Sequence, residues 1–258
     1  MNEAAPPAAK AAHPLSGVVH LVRPVGPRAR GLASLRTAIA ELPDRSLFYH
    51  CVHQRLRHPS GDEPPPDDLA AWAATVLQDR EAAERLAFAA QTRNGGASEL
   101  RAALLEVLDA LVSRSRHDVE VPDEAALVLL SAESVPIATG REPSSGADLL
   151  EDLANSHVEV WFYHLVEQPW FDSGRTPLLE WLRASGEERL AALLAEFADG
   201  HLALLAARER VLRRWRMSTL PRRLADAGRS PDVSRREAGR DAVTRLVRRV
   251  RRASGPGS

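Results

Sequence analysis

The chain of 258 residues holds one cysteine, Cys51, and one lysine, Lys10. A single cysteine excludes an intrachain disulfide and a thiolate cage for zinc. Aromatic residues make up only 5%, too few for the residue types that favour strands to dominate the fold. No run approaches the roughly 18 uncharged apolar residues of a membrane-spanning helix. The opening "MNEAAPPAAKAAHP" has no charged start followed by a long apolar stretch, so it does not read as a secretion signal. These absences set the expectation of a cytoplasmic protein with no transmembrane segment. GxSxG, P-loop, GxGxxG and HExxH motifs are missing too, which removes the commonest motif-defined enzyme classes.

Hydrophobic residues reach 44%, enough for a core. Ala, Leu and Arg dominate, and straight-chain residues lose little rotamer freedom in a helix. The net charge of −1 hides a division. Residues 208–258 carry 16 arginines against 5 acids, whereas the preceding 207 residues carry 18 bases and 30 acids. An acidic body with a basic arm is implied.

Residues 1–15 are rich in Ala and Pro and read as a flexible leader. "GVVHLVRPVG" (17–26) can form a short strand ended by Pro24. In "GLASLRTAIAEL" (31–42), Leu32, Leu35, Ile39 and Leu42 line one helical face, and Pro43 breaks it. A second helix starts near Ser46. Asp67 or Asp68 can cap the next one, which breaks near Gln78–Asp79. Ser98 can cap a Leu-rich helix. The order then recurs: a strand at 124–132, a helix at 146–155, then helices from Ser156, Thr176 and Gly186, with a break at Gly200.

The recurrence extends to residues. "LFYHCVH" (47–53) and "WFYHLVE" (161–167) repeat Phe-Tyr-His 114 positions apart, and "GLASL" aligns to "SGADL" at the same offset. Trp72 meets Trp181 at offset 109, and "ERLA" meets "ERLA" at 104. Two losses of five residues, in loops, explain the drift. A period near 110 is too long for a solenoid unit and reads as a duplicated domain packed about a pseudo-two-fold axis. The fold class expected is mainly α: two tandem diverged helical repeats, each opened by a short β-strand. The boundaries are 1–15 for the leader, 16–116 and 117–218 for the repeats, and 219–258 for a basic, partly helical arm.

The pattern of strand, helix, "FYH(L/C)V(E/H)", loop, "D-L-x-x-W" and Leu-rich helix resembles an uncharacterised bacterial and archaeal family, a domain of unknown function whose motif runs YHF-x-E-A-R-L-R. The first copy keeps Tyr49, His50, Arg55, Leu56 and Arg57 but has His53 in place of Glu. The second keeps Tyr163, His164 and Glu167 and departs at "QPWF". The resemblance covers 31–111 and 145–210 and implies a fold but no activity.

Helical residues three apart share a face, which pairs His50 with His53 and His164 with Glu167. With Tyr49, Arg57 and Tyr163 they form the candidate polar site. Across a pseudo-two-fold axis, His50, His53, His164 and Glu167 could hold a divalent metal as three imidazoles and a carboxylate. The stronger alternative needs no cofactor: histidines hydrogen-bonded in the core, with Asp67 or Asp68 as a partner. Arg45 ahead of His50 also fits a short ribonuclease-like spacing, which arises readily by chance. Cys51 falls on an apolar face, as a packing thiol. In the arm, Val243, Leu246, Val247 and Val250 form one stripe amid Arg245, Arg248, Arg249, Arg251 and Arg252. Such a helix can contact a protein partner, nucleic acid or an anionic membrane. The function expected is a non-catalytic binding or protein-interaction module. The alternative is a metal-dependent or hydrolytic enzyme using the paired His and Glu residues.

Overall fold

The structure is a computed structural model and describes residues 12–91, 96–114, 119–198 and 200–218. The basic arm from 219 onward, with Arg245 to Arg252, lies outside the described residues, as does most of the leader. Two compact units divide the chain, one ending at Val211 and one beginning at Leu212. In the second, residues 212–218 are helical. The paired motifs all fall in the first, which is mainly α with one two-stranded ribbon.

Strand β1 (Ser16–Pro24) pairs antiparallel with β2 (Leu130–Ala138). Between them run α1 (Leu32–Glu41), α2 (Asp44–Phe48), a π-helical turn π1 (Tyr49–His53), α3 (Gln54–Arg57), α4 (Asp68–Thr75), α5 (Arg80–Gln91) and α6 (Gly96–Val112). After β2 come α7 (Gly146–Ala154), α8 (Val158–Phe162), a second π turn π2 (Tyr163–Glu167), α9 (Gln168–Phe171), α10 (Pro177–Ala184), α11 (Glu188–Ala198) and a helix over 204–211. The breaks follow local chemistry. Pro43 separates α1 from α2, and Gln78 with φ 53 separates α4 from α5. Asp67 caps α4 by accepting the Ala70 N–H at 2.8 Å.

The second strand begins six residues later than expected from 124–132. The apolar run there serves as the entry to the ribbon instead: Leu127 bridges Ala29, and Leu129 is buried. Pairing then continues through "SVPIA". Pro136 is tolerated because it faces Val18 at a position whose backbone points off the ladder. Ser16, two positions along the same parity, likewise sends its N–H to a side chain rather than to β2.

Residues 114 apart occupy matching places. His20 faces Ser134 at the ribbon's centre, and the two strands share nearly one burial profile. Val25 N–H donates to Leu129 O at 2.9 Å, and Thr139 N–H to Leu15 O at 3.0 Å. Gly26 (φ 65) and Gly140 (φ 74) turn the chain after each strand, in a conformation that favours glycine. Phe48 and Phe162 meet with ring centroids 5.9 Å apart. Their shared core joins the Leu-rich faces of α1, α5 and α6 (Leu35, Leu86, Leu104) to those of α7, α10 and α11 (Leu149, Leu182, Leu194). Trp72 is buried, whereas its counterpart Trp181 is only half-buried. The fully buried indole is Trp161, which donates to Leu153 O at 2.9 Å.

One glycine is fixed by close approach. A Cβ at Gly31, the cap of α1, would overlap the carbonyl oxygen of Val119. That atom belongs to backbone and cannot swing aside. Gly31→Ala is expected to cost about 1–3 kcal/mol of unfolding free energy, readable by urea denaturation. A loss below about 0.5 kcal/mol would mean that the 119–121 segment yields freely.

Candidate functional site

The Tyr-His pairs of the two copies open π turns, whose hydrogen bonds span five residues instead of four. That wider turn rotates positions three apart away from each other. His50 and His53 therefore face different neighbours, and so do His164 and Glu167. The seven candidate residues separate into two wings and a centre.

In the first wing, His50 is buried. Its Nε2 accepts the N–H of Leu130, the first residue of β2, at 2.9 Å. A backbone N–H only donates, so Nε2 holds the lone pair and Nδ1 carries the proton, which it donates to Asp68 at 2.9 Å. Arg57 closes the network with bonds of 2.8 and 2.7 Å to the Asp68 carboxylate, and its guanidinium lies 4.6 Å from the centre of the Tyr49 ring. Burial pushes the Asp68 carboxyl up, but the bond from His50 and the Arg57 charge outweigh it and leave its pKa below the ordinary value.

The second wing repeats this with other letters. His164 Nε2 accepts the N–H of Ser16, the first residue of β1, at 3.0 Å. Its Nδ1 donates to Gln168 Oε1 at 3.0 Å. Burial, with help from His13, pushes the His164 pKa down to about 4, against the Gln168 bond. Tyr163 is half-buried beside it. Each histidine thus holds the strand that opens the other half of the chain.

At the centre, His20 of β1 reaches Glu167 through Nε2···Oε2 at 2.9 Å, and both side chains are almost fully buried. The His53 ring stands edge-on to His20 with centroids 4.2 Å apart and stacks on Tyr49 at 5.3 Å. Burial first, then the His20 and Arg57 charges, push the His53 pKa down to about 3. Ser134 faces His20 across the ribbon. Ser134 Oγ, His53 Nδ1 and Glu167 Oε1 are buried without a hydrogen-bond partner. Positions 20 and 134, and positions 53 and 167, are 114 apart, so at the centre matching positions of the two halves carry different polar residues.

The four-residue metal set is not brought together. The lone pairs of His50 and His164 are taken by backbone N–H groups. Among the described residues, no group of three His, Cys, Asp or Glu is placed to hold a metal ion. The ribonuclease-like pairing also separates: Arg45 lies 3.7 Å from Glu133 and packs over Phe171. Cys51 is buried, as expected. His20 was not singled out from sequence. Its signal was strand alternation, with Val18 and His20 inward and Val19 and Leu21 outward.

Beyond the centre opens a cleft of about 1070 Å³. Its lining comes in matched positions: Val52 with Val166, Arg55 with Pro169, Asp67 with Thr176, Gln91 with Ala195. Arg55 and Asp67 are buried in the wall that the first half contributes, and Trp170 in the wall that the second half contributes.

The fold and its site define a mainly helical protein with an interlocked pair of π-turn histidines beneath a two-stranded ribbon. The chain belongs to a family of unknown function, DUF5752, whose sequence profile matches residues 14–214. No curated protein matches it. Among solved structures it is similar to OrfY from Thermoproteus tenax, with a TM-score of 0.65 and 22% identity over 80% of this chain and 96% of that one. At that identity the likeness speaks for the fold alone. No described helix is long and apolar enough to cross a membrane.

Proposed function

We propose that the protein is a duplicated, non-catalytic binding module that receives an extended segment of a protein partner in the cleft between its halves. The cleft carries this reading. At about 1070 Å³ it exceeds the roughly 300–1,000 Å³ of small-molecule sites. Its lining mixes apolar residues such as Val52, Val166 and Leu179 with polar and charged ones such as Glu63, Thr176 and Arg183, which suits a peptide with alternating side chains. The His and Glu residues of the wings and the centre are placed to hold the fold rather than to catalyse. His50 and His164 are engaged on both ring nitrogens, and His20, His53 and Glu167 are closed off from solvent. A general acid or base must reach the proton it moves. The duplication rests on the offset of 114, shared by the motifs, the ribbon register and the histidine–strand bonds. A cytoplasmic setting suits a chain whose one cysteine is buried.

A displayed peptide library selected on the intact protein tests this reading, with the Ala195→Trp variant as counter-target. Ala195 lines the cleft, and an indole there fills part of it. The expected peptides bind the parent and lose at least about tenfold in affinity on the variant, the scale of a blocked anchor pocket. Peptides that bind both proteins equally place the site elsewhere.

A further inference from the structure

The two walls of the cleft are charged in opposite senses. We infer that its occupant is an extended polypeptide with a basic end along the first wall and an acidic end along the second, which rests on the binding reading above. The first half contributes Arg55, Glu63 and Asp67, and the second contributes Arg175, Glu180 and Arg183. One wall therefore has two acids against one base, and the other two bases against one acid.

Local bonding decides which of these charges face a ligand. Arg175 and Glu180 satisfy each other through bonds of 3.2 and 2.9 Å. Asp67 is buried and caps α4, and Arg55 is buried beneath the rim. Glu63 and Arg183 remain as exposed charges, one contributed by each half. A uniform polyanion such as a nucleic acid gains at Arg183 and loses at Glu63, and a polycation does the reverse. Only a chain that changes sign along its length gains at both. Val52, Val166, Leu165 and Leu179 also line the cleft and suit an apolar middle.

Three labelled peptides of equal length test the polarity on the intact protein by fluorescence anisotropy at low salt. One has lysines at one end, leucine and alanine in the middle and glutamates at the other. The second replaces every charge with glutamate, and the third with lysine. The block peptide is expected to bind about threefold to tenfold tighter than either uniform peptide, the scale of two rim ion pairs. Arg183→Glu should shift the preference to the lysine peptide. Combining Glu63→Arg with Arg183→Glu restores a dipole of opposite sense and should restore preference for the block peptide, bound in reverse. Equal affinity for all three, or a glutamate peptide that binds best, overturns the polarity and leaves the cleft as a binding site. If no peptide binds, the binding reading fails as well. Both substituted residues are exposed, so folding is not at stake.

Discussion

Between pH 7.5 and pH 4.5 the protein is expected to lose several kcal/mol of stability. Unfolded, His53 and His164 titrate near 6.5. Folded, burial and neighbouring histidines hold them down to about 3 and about 4. Across that window the unfolded chain binds more protons than the folded one, so acid favours unfolding. The contribution is complete above about pH 6.5 and is lost as the pH falls toward the folded values. At pH 4.5 each histidine is about two units below its unfolded pKa, which sets an upper limit of about 5 kcal/mol for the pair. Whole domains hold about 5–15 kcal/mol, so the loss brings the fold near its limit. Asp68 adds to it only at lower pH, below the ordinary carboxylate range, because its folded pKa is depressed. Urea titrations at the two pH values measure the loss. The His53→Phe variant keeps an aromatic ring against Tyr49 and His20 but cannot titrate, so its loss should be about half as large. Equal stability of the parent at both pH values would show that His53 and His164 take up protons without opening the core.

The two motif histidines, His50 and His164, show how far sequence could reach. The repeat of Phe-Tyr-His located both, and Asp68 was one of two partners proposed for His50. Helix starts at Asp67 and Ser145 follow from capping residues that accept the Ala70 and Asp148 N–H groups. Periodicity could not reveal the π turn. It inserts no glycine or proline in "YHCVH", yet it changes which residues share a face. Nor could local pattern reveal that His50 binds the strand of the other half, 80 residues away. Such a bond depends on how the halves interlock. His20 lay in plain alternation, but its partner Glu167 is 147 residues distant. Helical spacing pairs Glu167 with His164, and the structure gives it His20 as a bonded partner. The cleft depends on loop geometry at 63–67 and 173–176, where sequence fixes composition but not shape.

Moving the central polar cluster to its mirror position is expected to preserve stability, whereas moving its members singly is not. If the halves are duplicates about an axis between His20 and Ser134, then His20, Ser134, His53 and Glu167 occupy two pairs of equivalent places. The bond from His20 to Glu167 is then one of two permitted arrangements, the other being a histidine at position 134 bonded to a glutamate at position 53. Each single change damages the site for a stated reason. Glu167→His leaves the His20 Nε2, almost fully buried, without its carboxylate and crowds imidazoles together. His53→Glu sets a second carboxylate beside Glu167. His20→Ser removes the partner of Glu167 and strands a buried charge. Each is expected to cost about 2–4 kcal/mol, the scale of an uncompensated buried polar or charged group. Ser134→His adds a ring to a filled space at a cost of about 1–3 kcal/mol. Neighbours in one network do not add, and here the sign of the coupling is fixed in advance. The quadruple variant, which combines His20→Ser, His53→Glu, Ser134→His and Glu167→His, rebuilds the cluster on the opposite side and should lie within about 1–2 kcal/mol of the parent. Urea denaturation of the four single variants and the quadruple decides it. A quadruple that loses as much as its four members together would mean that positions 114 apart are not equivalent at the axis, and the proposed duplication would lose its strongest support.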